Sequence, residues 1–219
     1  MTDIVSQLIV TGPLPSGDGY TWTLASQLGK MLRLAEERFG PRDCSYTILG
    51  VEFIDGVPQC WYPGNCRNVV IQLGLRCLRE PDRACFQLAH EAIHLLSPSG
   101  GRNANVLEEG LAAHFQSWYM THHYPSDWPR TGLDCNVFEC LSYTRAKQLV
   151  DRLLDLQPEI IRNLRVDEPT LGRITRQMIL ANCPEVSEET ADTLTAKFVR
   201  ESNTEHPDVL DGSASHRHK

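Results

Sequence analysis

The sequence predicts an α+β protein, and three observations carry that reading. Apolar residues at helical spacing open the chain, a block rich in β-branched and aromatic residues follows, and helical periodicity then runs nearly to the end. At 219 residues the chain is long enough to bury a substantial core, and 41% hydrophobic with 22% charged residues suits a packed domain rather than disorder.

The first helix is read from "TWTLASQLGKMLRLAEERFG". Leu24, Leu28, Met31, Leu32, Leu34 and Ala35 fall at mostly helical spacing, and Gly40-Pro41 stops the run. Three short antiparallel strands are expected next, at about 45–54, 57–62 and 67–73, with Asp55-Gly56 and Pro63-Gly64-Asn65 as the turns. Glu80-Pro81-Asp82 is a helix start and Ser97-Pro98-Ser99-Gly100-Gly101 a stop, which places a helix at about 81–97. Another helix is expected at about 105–120, followed by a loop rich in aromatics and prolines. From Phe138 onward, helical stripes broken by Pro158, Pro169 and Pro184 make the C-terminal half all-helical. The division expected is an N-terminal part (1–126) holding the sheet and two helices, a helical subdomain (127–211), and a polar disordered tail (212–219).

Composition narrows the function classes. The formal net charge is −7 and no basic stripe is present to follow a phosphate backbone, so no nucleic-acid partner is expected. The acidic balance mildly favours basic substrates. The first twenty residues lack a cationic start and a long apolar run, so no membrane span is expected and the protein is placed in the cytoplasm. The eight cysteines are then expected as reduced thiols. Cys60/Cys66, Cys77/Cys85 and Cys135/Cys140 miss the C-x-x-C spacing of a second, cysteine-bound zinc.

The stretch "QLAHEAIHLL" carries the chemistry. On a helix, residues four apart share a face, so His90 and His94 reach one ion, while Glu91 lies beside it as a general base. The plainer alternative is a buried pair of histidines satisfied by hydrogen bonds. A catalytic zinc takes three protein ligands and keeps one position for water, and Glu108, Glu109 and His114 are the candidates for the third.

The segment "VLEEGLAAHF" resembles the W-L-x-E-G-x-A segment that follows H-E-x-x-H in the gluzincin zinc metallopeptidases, in particular their compact, minigluzincin-like members. The resemblance runs from about Tyr46 to Leu154 and is strongest from Ala84 to Ala113. It implies a zincin-like fold, a small antiparallel sheet packed on the active-site helix, with Zn2+ held by His90, His94 and Glu109. Separately, with Asn105 as N-cap, Glu108 stands at the third helical position and has a capping-box role of its own. His114, five residues beyond Glu109, is off its face and reads as core or as a residue behind the ligands.

The resemblance departs in two places. Val106 replaces the tryptophan, and Ala113 stands where some gluzincins hold an acid that orients a zinc histidine; a carbonyl, Glu108 or Glu139 is then the substitute. "YTRA" resembles the Y-x-K-G pattern in which a tyrosine stabilises the oxyanion, and implies that role for Tyr143. An ordinary buried tyrosine is the alternative, and His122, His123, Tyr119 and Tyr124 are the other candidates. The third strand would be an edge beside the active-site helix, open to an extended peptide.

The expected function is therefore hydrolysis of a peptide or protein substrate by a metal-activated water, with Glu91 as base and Tyr143 as oxyanion donor. The rivals are a silent zinc-binding interaction module and a regulatory protease of one intracellular partner. Oligomeric state is not legible in the sequence.

Overall fold

The computed structural model of the protein describes residues 24–64, 67–99, 104–123 and 140–201. The expected subdomain boundary at 127 and the tail 212–219 lie outside them, as do Tyr124 and Glu139. The fold is mixed α+β: a three-stranded sheet among mostly helical elements.

Helix α1 (Leu24–Phe39) buries Leu28, Met31, Leu32 and Ala35 of the predicted set, with Phe39 added, while Leu24 and Leu34 are partly buried. It ends at Gly40, whose φ of 92° suits a residue without Cβ. Strands β1 (Thr47–Ile54), β2 (Gln59–Trp61) and β3 (Asn68–Gly74) follow, then α2 (Pro81–His94) and α3 (Val106–His123). The C-terminal elements are α4 (Leu141–Leu156), α5 (Ile160–Asp167), α6 (Arg176–Asn182) and α7 (Glu188–Thr195). A single hydrophobic cluster, including Met31, Ile71, Leu88, Leu111, Val150, Ile161, Ile179 and Leu194, joins elements from α1 to α7.

The sheet differs from the expected antiparallel meander. Its order is β1-β3-β2, with β3 antiparallel to β2 but parallel to β1. The Asp55-Gly56 turn reverses the chain without bringing β2 onto β1, because residues 55–58 carry it one strand position further. β3 fills the gap and gives β1 a seven-residue partner where β2 offers three residues. Turn residues fix a reversal of direction, and they leave adjacency to the longest ladder and the best-buried face. That face belongs to β3, where Val69, Ile71 and Leu73 alternate inward and are fully buried. β3 is therefore the central strand and not the edge expected from the sequence. Of the two edges, β2 borders the cleft described below.

Two features hold the site-bearing helices in place. Gly110 sits where α3 meets α4, and a Cβ there would come within 2.4 Å of the Ala146 carbonyl oxygen and 2.7 Å of Val150. Glycine is required for this backbone-to-backbone approach. Arg165 on α5 is buried at 6% exposure and donates to the carbonyls of Phe39, Gly40, Pro41, Leu96 and Pro169 at 2.7–3.2 Å. One guanidinium thus donates to the chain just beyond α1 and α2, where Leu96 O also accepts from Asp43 N. Among the described residues, no helix is long and apolar enough to cross a membrane.

Candidate metal centre

α2 starts with Pro81 in its first turn and Asp82 near the positive end of its dipole, and its inner face is packed through Ala84, Leu88, Ala92 and Ile93. This packing fixes the rotation of the helix, so that His90 and His94, one turn apart, face the first turn of α3. α3 is pinned there by Asn105, whose Oδ1 accepts from the Glu108 backbone N–H at 2.9 Å. Gly110 then draws α3 onto α4, leaving Glu109 directed at the two imidazoles.

The three side chains converge. One ligand atom each from His90, His94 and Glu109 lie within 4.8 Å of one another. Glu109 Oε2 is 3.2 Å from His90 Nε2, and Glu109 Oε1 is 3.8 Å from His94 Nε2. The opposite ring nitrogens are both engaged: His90 Nδ1 meets Gln116 Oε1 at 2.9 Å and His94 Nδ1 meets Glu108 Oε1 at 2.8 Å. With amide and carboxylate oxygens as acceptors, each Nδ1 carries its ring's hydrogen in the neutral tautomer, and each Nε2 presents a lone pair inward.

Electrostatics define what belongs between them. Glu109 Oε2 is buried without a hydrogen-bond donor of acceptable geometry, although His90 Nε2 stands close. Burial raises the Glu109 carboxyl, but His94 and His90 outweigh it and hold the group below the usual carboxylate range. Burial likewise disfavours charge on His94, yet Glu109, Glu108 and Glu91 outweigh it and hold its imidazole up at about 10. The corner is built around a cation, filled by a proton on His94 or by a metal ion. Two imidazole Nε2 atoms and a carboxylate oxygen form a donor set that fits a three-coordinate protein site for a divalent metal.

Glu91 is 3% exposed and its carboxylate opens on the same cleft without belonging to the cluster. Its Oε2 is 3.4 Å from Cys60 Sγ on β2. Burial and the neighbouring Glu91 push the Cys60 thiol well up, so it keeps its proton and donates to that oxygen. Tyr143, in the first turn of α4, stands edge-on to His90 with ring centroids 5.7 Å apart and leans on Phe198 at 4.8 Å. Burial, with Glu109 nearby, raises its hydroxyl, which remains a proton donor.

The cleft has two adjoining cavities, of about 930 and 260 Å³. The larger reaches His94, Glu108 and Glu109 and runs along β2, while the smaller lies beside Phe86, Gln87 and Gln116. His90, Glu91, Tyr143 and Arg200 line both.

Each residue anticipated for the site can now be placed. His90, His94, Glu109, Glu91 and Tyr143 are together. Glu108 keeps its place behind Asn105, but its carboxylate turns to His94 instead of closing a capping box. His114 is elsewhere, with Nδ1 2.7 Å from Asp151 and its ring edge-on to Phe39. His122 is bonded to the Trp118 carbonyl and Tyr119 to Gln27, and His123 stacks on Tyr119, all away from the cleft lining. Gln116, Cys60, Phe198 and Arg200 went unanticipated. Gln116 had a signal: it is seven residues beyond Glu109, on the same helical face, one turn past the unhelpful Ala113. The others reach the cleft through long-range packing that no local pattern encodes. The six described cysteines, Cys44, Cys60, Cys77, Cys85, Cys140 and Cys183, are free thiols.

Comparison with protein-family models, with curated proteins and with solved structures finds no match to this chain.

Proposed function

We propose that the protein is a zinc-dependent metallopeptidase of gluzincin type with a zincin-like arrangement of sheet and active-site helix. The observation that carries this reading is the convergence of His90 Nε2, His94 Nε2 and the donorless Glu109 oxygen beside a buried glutamate on one open cleft. A zinc ion held by these three would supply Lewis acidity, lowering the pKa of a water and polarising a carbonyl.

The chain's own residues divide the remaining work. Cys60 holds Glu91 Oε2, so Oε1 is the atom that takes the proton from water and passes it to the departing amine. Tyr143, kept protonated by burial, donates to the carbonyl oxygen as it gains charge. Gln116 and Glu108 orient the imidazoles through Nδ1. Among the described residues β2 is an edge of the sheet, and its outer backbone groups would take an extended peptide, the role the resemblance implies for the third strand.

The test is Glu91→Gln. This variant should bind zinc as wild type does and lose peptide cleavage, read by mass spectrometry of a peptide mixture. Cleavage retained at the wild-type rate would remove Glu91 from the mechanism.

A further inference from the structure

Beyond α7 the chain does not leave the molecule at once. Residues 196–201 form a strap across the mouth of the cleft, pinned at both ends. At one end Ala196 O accepts from Val106 N and Phe198 N donates to Ala104 O, both at 3.0 Å, and Lys197 bridges Asn105. At the other, Glu201 N donates to Ser142 Oγ at 2.8 Å, Cys140 Sγ reaches the Glu201 carbonyl at 3.6 Å, and Glu201 pairs with Arg145 at 3.0 Å. The strap thus spans from the start of α3, beside Glu109, to the start of α4, beside Tyr143.

Arg200 lies between the two pinned points, and it lines both cavities. Within the described residues it makes no hydrogen bond or ion pair. The other cation on the smaller cavity, Arg83, is paired with Glu80, and the strap's own acid is taken by Arg145. Arg200 is therefore an exposed guanidinium without a hydrogen-bond or ion-pair partner among the described residues, on a backbone fixed at both sides, and it lines the smaller cavity together with Phe86, Val57 and Pro58. The smaller cavity is lined by two guanidiniums, Arg83 and Arg200, against one carboxylate, Glu91, in a chain whose net charge is −7.

The side of the site follows from the lining. The smaller cavity takes in His90, Glu91 and Gln116 but neither His94 nor Glu109, so it lies on the side of the site away from Glu109, while Glu91 borders both cavities. On the peptidase reading Glu91 would pass its proton to the departing amine, and the smaller cavity is assigned to the residue after the scissile bond.

We propose that Arg200 is a specificity-determining residue that selects substrates carrying a carboxylate on the leaving-group side of the scissile bond. The proposal rests on the peptidase reading above and gives it a substrate class opposite to the one the net charge suggests. A planar guanidinium pairs with a carboxylate through two parallel hydrogen bonds, which an amide of the same shape cannot match. The carboxylate is that of an aspartate or glutamate side chain, or the free C-terminus of the substrate.

The test uses zinc-loaded full-length protein and a library of N-acetylated random-sequence peptides, in one half with free C-termini and in the other amidated. Mass spectrometry reads the cleavage sites made by wild type and Arg200→Gln. It also reads which peptides are retained on ultrafiltration by Glu91→Gln and by Glu91→Gln/Arg200→Gln, where turnover is blocked. Carboxylate-bearing peptides should exceed their amide counterparts about tenfold in both readouts, and the excess should vanish with Arg200→Gln. Preference for Asp and Glu that persists in the amidated half assigns the side chain; preference confined to the free half assigns the terminus. Cleavage without a carboxylate preference, or a preference unchanged in Arg200→Gln, overturns the proposal and leaves the peptidase reading standing. Selective retention that depends on Arg200 without cleavage by wild type supports the subsite and overturns the peptidase reading. Neither cleavage nor selective retention overturns both.

Discussion

Two buried polar clusters lie near the C-terminal end of α2 and differ in how their charge is met. At Arg165 one guanidinium faces five carbonyl oxygens and every contact is a hydrogen bond. At His90, His94 and Glu109 several carboxylates crowd two imidazoles, and one buried oxygen lacks a donor. A buried charge whose partners are complete reads as architecture, whereas one whose partners are incomplete and face a cleft reads as a binding site. The contrast separates two roles that burial alone would merge.

The comparison breaks most sharply at Arg165. Arg165→Met removes the donor from the buried carbonyls of Phe39 and Gly40 and should lower stability by about 3 kcal/mol, measured by chemical denaturation. The variant should still be stabilised by added zinc. Glu109→Ala should show the reverse pattern, lacking the zinc-dependent rise in Tm expected of wild type. An Arg165→Met protein of wild-type stability would end the structural reading of that cluster.

Gly110 couples the two kinds of role. Gly110→Ala must push α4 away from α3, since its Cβ would meet backbone as well as side chain, and should cost about 2 kcal/mol. Because Glu109 is the adjacent residue, zinc affinity should fall as well, and calorimetric titration of zinc reads both effects in one preparation. Affinity unchanged in a destabilised variant would show that the α3–α4 approach does not position Glu109.

The supports behind the histidines come next in size. Gln116→Leu and Glu108→Gln should each weaken zinc binding by about 10- to 100-fold, with the ligands themselves intact. An effect much smaller than this would mean that packing alone orients the rings.

The smallest effect concerns His114, one of the histidines away from the site. Burial works against the charge of Asp151, but hydrogen bonds from His114 and Lys147 outweigh it and hold its carboxyl below the usual carboxylate range. A depressed carboxyl stabilises above its ordinary pKa and loses that contribution as pH falls through its folded value. Asp151→Asn should therefore cost about 1 kcal/mol near neutral pH, and the difference from wild type should close in acid. Zinc binding should not change.

The pairing of His90 with His94 was legible in the sequence because a helix converts a spacing of four into one shared face. Glu109 was singled out from Glu108 and His114 by the resemblance of its E-G segment, and the structure brings it to the two imidazoles. Glu108 was half legible: its backbone sits where the Asn105 cap predicts, while its carboxylate answers to His94, fourteen residues away. The parallel pairing of β1 with β3 was not legible, because turn residues specify reversals and say nothing of which strands become neighbours. Cys60 meets Glu91 across 31 residues and Arg165 meets Phe39 across 126. Such contacts exist only once the core has assembled, and a local pattern carries no trace of them.

The measurement that bears most directly on the metal centre is zinc content by mass spectrometry, on wild type beside His90→Ala and Glu109→Ala, after equilibration with zinc and removal of excess. About one zinc per chain in wild type, lost in both variants while their circular dichroism stays native, is the expected result. A folded wild type that holds no zinc under the same conditions would contradict it, and the corner between α2 and α3 would then be a protonated histidine among carboxylates.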